Sequence, residues 1–174
     1  MPPVPLSSPS VRHRLRSTRG FSLVEIGMVT LIIGVLAALA MPALKRTTIS
    51  ARASTVASDL RTFASAFQTY AQQNGKYPPD SGIGVMPPLM VGSLGNTSWR
   101  RVTPIGGRYN WEYNILSAGV RYRAAIGIRT LAASRVTTDV TQLRAIDRLI
   151  DDGNLATGNF FLGVGSAPFY VIER

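Results

Sequence analysis

The chain has 174 residues, a formal net charge of +10, no cysteine and a single histidine, His13. Thiol chemistry, disulfides, zinc centres built from His and Cys, and Ser-His-Asp or Cys-His mechanisms therefore lack their essential groups outside the first residues. Carboxylates remain at Glu112, Asp139, Asp147, Asp151 and Asp152. No spacing among them singles out an acid/base pair, so an enzyme is not expected.

Residues 1–20 carry Arg12, Arg14, Arg16 and Arg19 and no acid, after a start containing Pro2, Pro3, Pro5 and Pro9. From Phe21 to Leu44 the only charge is Glu25. At about 1.5 Å per residue this stretch makes a helix roughly 36 Å long, enough to cross a hydrocarbon core of about 30 Å. A carboxylate placed there costs on the order of a few kcal/mol and calls for a partner. The simplest partner is an amine. Cleavage after Gly20 gives Phe21 a free α-amino group, with which Glu25 of a neighbouring copy can pair. The arginines before the helix, set against Lys45 and Arg46 beyond it, predict an N-terminus on the cytoplasmic side. The competing processing site is Ala38-Leu39-Ala40, a signal-peptidase pattern ahead of Met41. Against it, the apolar run exceeds the usual h-region of about 7–15 residues and contains Glu25.

Beyond Pro42 the pattern narrows to a stripe. Ile49, Ala53, Val56, Leu60, Phe63, Phe67 and Tyr70 recur at spacings of three and four, and no Gly or Pro intervenes before Asn74-Gly75. The expectation is one helix from Phe21 to about Gln73, bent at Pro42. Its first half is apolar all round and its second half amphipathic.

Residues 76–107 are rich in Pro and Gly and predict a connection with at most a short helix near 87–94, Trp99 anchoring it to the domain. Two alternating runs follow. Tyr109, Trp111, Tyr113 and Ile115 are expected on one face of the first, and Val120, Tyr122, Ala124 and Ile126 repeat the pattern across a hairpin at Leu116–Gly119. Thr138 or Asp139 is expected to start a short helix, Asp139 and Gln142 standing at capping-box spacing, with Val140, Leu143, Ile146, Leu149 and Ile150 as its buried face. Strands are expected at about 157–164 and 168–173. The fold class is α+β, a long N-terminal helix packed on an antiparallel β-sheet head.

The run Arg19-Gly20-Phe21-Ser22-Leu23-Val24-Glu25, followed by apolar residues to Leu44, resembles the N-terminus of the type IV pilin and type II secretion pseudopilin family. Gly34 and Pro42 stand where helices of that family carry Gly and Pro, and Tyr77-Pro78-Pro79 resembles the Tyr-Pro element after the pseudopilin helix. The similarity covers residues 19 to about 79. It implies cleavage by a prepilin peptidase between Gly20 and Phe21, N-methylation of Phe21, and Glu25 as the assembly residue. Further implied partners are membrane lipid, an inner-membrane assembly platform, and copies of the chain or other pilin-like subunits. The implied location is the inner membrane, single-pass, then an envelope-spanning or surface filament. The parts would be a leader (1–20), a membrane and filament-core helix (21–44), its amphipathic continuation (45–75) and a globular head (76–174). The leader is longer than most that precede a Phe. The lack of cysteine fits a pseudopilin or minor pilin better than a major pilin with a disulfide loop.

Two features of the head carry alternatives. Asp151-Asp152-Gly153-Asn154 is the one oxygen-rich cluster, with Asp151, Asp152 and Asn154 as candidate ligands, and major pseudopilins bind calcium near the C-terminal sheet. The same residues are the ordinary ones for a helix end and turn, and no cofactor is the leading expectation. Arg121, Arg123 and Arg129 share strand parity, a positive stripe suited to a nucleic-acid backbone in a DNA-uptake component. A solvated face is the simpler reading, and nucleic acid is not the expected partner. The remaining alternative is a membrane-anchored or secreted binding module that never polymerises.

Overall fold

Helix α1 runs without interruption from Leu23 to Asn74, 52 residues, through Gly27, Gly34 and Pro42, with Gly75 at φ +71° ending it. These elements come from a computed structural model describing residues 20–174 apart from Asn96 and Ala118. The arginine-bearing leader up to residue 19 lies outside the described residues. Pro42, the expected bend point, lies inside α1 and withholds the N–H that would meet the Ala38 carbonyl. It is also where contacts divide the chain into two units, Met1–Met41 and Pro42–Arg174.

In the first unit, the described residues from Phe21 to Met41 are exposed, Ala37 excepted. In the second unit, the stripe predicted from spacing is the one buried. Ala53, Val56, Leu60, Phe63 and Phe67 are fully covered. They pack on a four-stranded antiparallel sheet of order β1-β2-β4-β3, formed by Arg108–Ser117, Val120–Arg129, Phe160–Leu162 and Pro168–Glu173 in chain order. The Phe67 ring stacks on Trp111 at 3.7 Å between centroids, and Phe63 meets Trp99 and Tyr109 edge-on at 5.0 and 4.8 Å.

Three polar aromatic atoms of this core have partners. Trp99 Nε1 donates to the Val85 carbonyl, Trp111 Nε1 to that of Pro78, and the Tyr109 hydroxyl to Asp59. Trp99 thus anchors the loop-rich connection, as expected. That connection contains a 3-10 turn at Pro88–Met90, a short helix α2 at Val91–Leu94 and a 3-10 turn at Ser98–Arg100.

The hairpin of β1 and β2 runs in register from Arg108 opposite Arg129 to Ser117 opposite Val120, with Gly119 at φ +79° in its connection. Its face pattern differs from strict alternation. Tyr109, Trp111 and Tyr113 face α1, but Ile115 and Tyr122 join Ala125 and Phe169 in a second apolar cluster. Asn114 has φ +56°, and this departure from extended backbone breaks the two-residue period within β1.

Helix α3, Val140–Ile150, starts at Asp139, whose Oδ1 accepts from the Thr141 N–H. The capping box does not close. Gln142 is buried and its Nε2 donates to the Ile49 carbonyl of α1 at 3.1 Å, a long-range contact in place of a local one. The buried face is Gln142, Leu143, Ile146 and Asp147, whereas Val140 and Leu149 are exposed. The exposed Leu149 contributes through its backbone, its carbonyl accepting from the Arg61 guanidinium.

Candidate functional sites

The N-terminal site begins with Gly20 and Phe21, both exposed and ahead of α1. Glu25 lies in the first turn, where a carboxylate interacts favourably with the positive end of the helix dipole. Its surroundings on α1 are Leu23, Val24, Ile26, Met28 and Val29, all exposed. The Thr30 hydroxyl is turned inward onto its own helix, donating to the Ile26 and Gly27 carbonyls. Glu25 is thus the one side chain in the segment able to make a directed ionic contact with another molecule. The helix is long and apolar enough to cross a membrane, and none of its most apolar window is buried. Among the described residues, a Cβ added at Gly27 or Gly34 would meet nothing within 4 Å.

The basic residues of β2 do not form a free stripe. Arg129 donates through Nε and Nη2 to Glu112 Oε1, at 3.1 and 2.8 Å, and lies 4.6 Å from the Phe169 ring centroid. Glu112 is nearly buried and also accepts from Asn110 Nδ2, so this pair is an internal polar network. Arg123 pairs with Glu173 at 2.6 Å in an exposed bridge. Arg121 donates to the Asn114 carbonyl and side-chain oxygen. Arg121, Arg123 and Arg174 do line one cleft of about 380 Å³ with Tyr113 and Asn114.

At the C-terminal end of α3 the fold assembles three carboxylates, with oxygens of Asp147, Asp151 and Asp152 within 4.8 Å of one another. Two belong to the sequence-expected set and one does not. Asp151 Oδ2 accepts from the backbone N–H groups of Asn159 and Phe160. Asp152 accepts from the Asn154 N–H and the Thr157 hydroxyl, both at 2.7 Å, and these bonds hold its carboxyl below the usual range. Gly158, at φ +78°, lies so close to Asp151 that a Cβ there would collide with the carboxylate. Asn154 Oδ1 accepts from the Ala156 N–H within the turn.

Asp147 is fully buried, and neither of its oxygens has a hydrogen-bond partner. Burial first, then Asp152 and Asp151, push its carboxyl up to about 6, against the pull of the Gly153 N–H, which falls short of hydrogen-bond geometry. The sequence contained a signal for this residue. Asp147 stands four residues before Asp151, among the apolar positions Leu143, Ile146 and Ile150 of the expected helix.

No protein-family model matches the chain, and no curated protein does.

Proposed function

We propose that the chain is a prepilin whose processed form is a structural subunit of a type IV pilus or type II secretion pseudopilus. The observation carrying this reading is Glu25, a lone carboxylate four residues after Phe21 on the apolar first stretch of α1, whose large apolar side chains are exposed among the described residues. In a bilayer the apolar residues are satisfied and the carboxylate is not. Packed beside another copy, Glu25 meets the α-amino group of Phe21, and their mutual attraction offsets the desolvation cost of both charges. Assembly is then favoured by the group that is least stable in the membrane-inserted monomer.

In this reading prepilin peptidase cuts after Gly20 and methylates Phe21. Polymerisation drives the mechanical work of moving cargo or a tip through the envelope. The cleft lined by Arg121, Arg123 and Arg174 gives a DNA-uptake role its best location, but Arg123 already spends its charge on Glu173. That pairing makes filament formation the stronger reading.

Mass spectrometry of the mature N-terminus, on protein purified from the membrane fraction, tests the proposal. The expected result is N-methylated Phe21. A start at Met41 would replace it with an ordinary secreted domain, and an intact residue 1 with a plain membrane anchor.

A further inference from the structure

Helix α3 and the part of α1 just past the apolar run share an excess of exposed positive charge. Between Leu44 and Asp59 the charged residues of α1 are Lys45, Arg46 and Arg52, and the exposed charged residues of α3 are Arg144 and Arg148. Arg46, Ile49 and Ala53 stand at spacings of three and four on α1, and Thr141, Ala145 and Arg148 at four and three on α3. Each set therefore shares one helix face. Together with Leu149 these faces line a groove of about 300 Å³. Two hydrogen bonds hold its walls together. Gln142 Nε2 donates to the Ile49 carbonyl, and the Arg61 guanidinium donates to that of Leu149. The groove is thus formed before any ligand arrives. Its apolar lining of Ile49, Ala53, Ala145 and Leu149 is accompanied by Arg46 and Arg148, both exposed. Among the described residues the ion pairs are Arg123–Glu173 and Arg129–Glu112, so neither groove arginine belongs to one.

We propose that this groove binds the headgroup of an anionic phospholipid from the membrane that the apolar run enters. The arginines take the phosphate, which a guanidinium fork matches in shape and charge. The apolar lining takes the glycerol backbone and the first methylenes of the acyl chains. Two observations select a lipid over a soluble anion. Arg46 follows Leu44, the end of the apolar run, by two positions, about 3 Å along a helix axis, which is headgroup level once that run is in the bilayer. A soluble phosphate would also leave the apolar lining uncovered, whereas a phospholipid covers it. The inference rests on the membrane-inserted form described under the proposed function, and it makes no use of Glu25.

The test is native mass spectrometry of the full chain in detergent micelles, titrated with phosphatidylglycerol and separately with phosphatidylcholine. The expected result is one phosphatidylglycerol retained per chain, with phosphatidylcholine roughly tenfold weaker or more. Arg46→Gln combined with Arg148→Gln should weaken phosphatidylglycerol binding by a similar factor. The unfolding transition of the head should not move, because both side chains are exposed. Arg100→Gln combined with Arg101→Gln removes the same charge outside the groove and should leave binding within about twofold of the wild type. The proposal is overturned by equal retention of the two lipids, by wild-type binding in the groove variant, or by equal losses in the two variants. Displacement of the lipid by an equal concentration of glycerol 3-phosphate would also overturn it, marking a site for soluble phosphate esters. Carbonate extraction of the membrane fraction separates the two claims. A chain released by carbonate overturns the membrane reading, whereas a retained chain indifferent to phosphatidylglycerol overturns the lipid site alone.

Discussion

Two stretches of α1 share a helical backbone and an abundance of apolar side chains, yet the fold treats them oppositely. Ala53, Val56, Leu60, Phe63 and Phe67 are fully covered by the sheet and its connections, whereas Leu23, Val24, Leu31 and Leu39 are each more than two-thirds exposed. The difference lies in the arrangement of apolar residues around the helix. A stripe at spacings of three and four fits one sheet face, and the chain provides that face. A segment apolar on every side cannot be covered by one partner surface, so its cover must come from lipid or from several other helices. One helix thus carries a stretch used in intramolecular folding and a stretch that, in the proposed reading, serves contact with other molecules.

Truncation at the covered stretch should have the larger effect. Phe67→Ala removes the ring stacked on Trp111 and should cost about 3–5 kcal/mol of head stability in denaturant unfolding of the detergent-solubilised chain. Tryptophan fluorescence reports that transition, since Trp99 and Trp111 are both fully buried there. At the other stretch, Leu31→Ala should leave the same transition within about 0.5 kcal/mol of the wild type, because Leu31 is 68% exposed. A large loss of head stability from Leu31→Ala would erase the distinction between the two stretches.

Much of this division is visible in the sequence, because it depends on local periodicity. The extent of α1, the hairpin, α3 and the last strand all follow from spacing and turn residues. The misread details share a non-local or conformational cause. Gln142 has the spacing of a capping box, but the Ile49 carbonyl, remote in sequence, takes its donor. Ile115 changes face beyond Asn114, whose left-handed conformation an alternating pattern does not encode, and Tyr122, paired with Ile115 across the hairpin, lies with it. The acidic cluster was half legible. Asp151 and Asp152 are adjacent in a turn, while the burial of Asp147 depends on how α3 docks. The positive stripe was legible as residues but not as charge, since Glu112 and Glu173 neutralise two nearby arginines through tertiary contacts.

The central claim is that Glu25 serves assembly between copies rather than the folding of its own chain. Its most direct test is the incorporation of Glu25→Ala into filaments, compared with its level in the membrane. The account predicts a variant that inserts, is cleaved and keeps the wild-type unfolding transition of the head, yet yields few or no filaments. Normal filament yield from Glu25→Ala would contradict it.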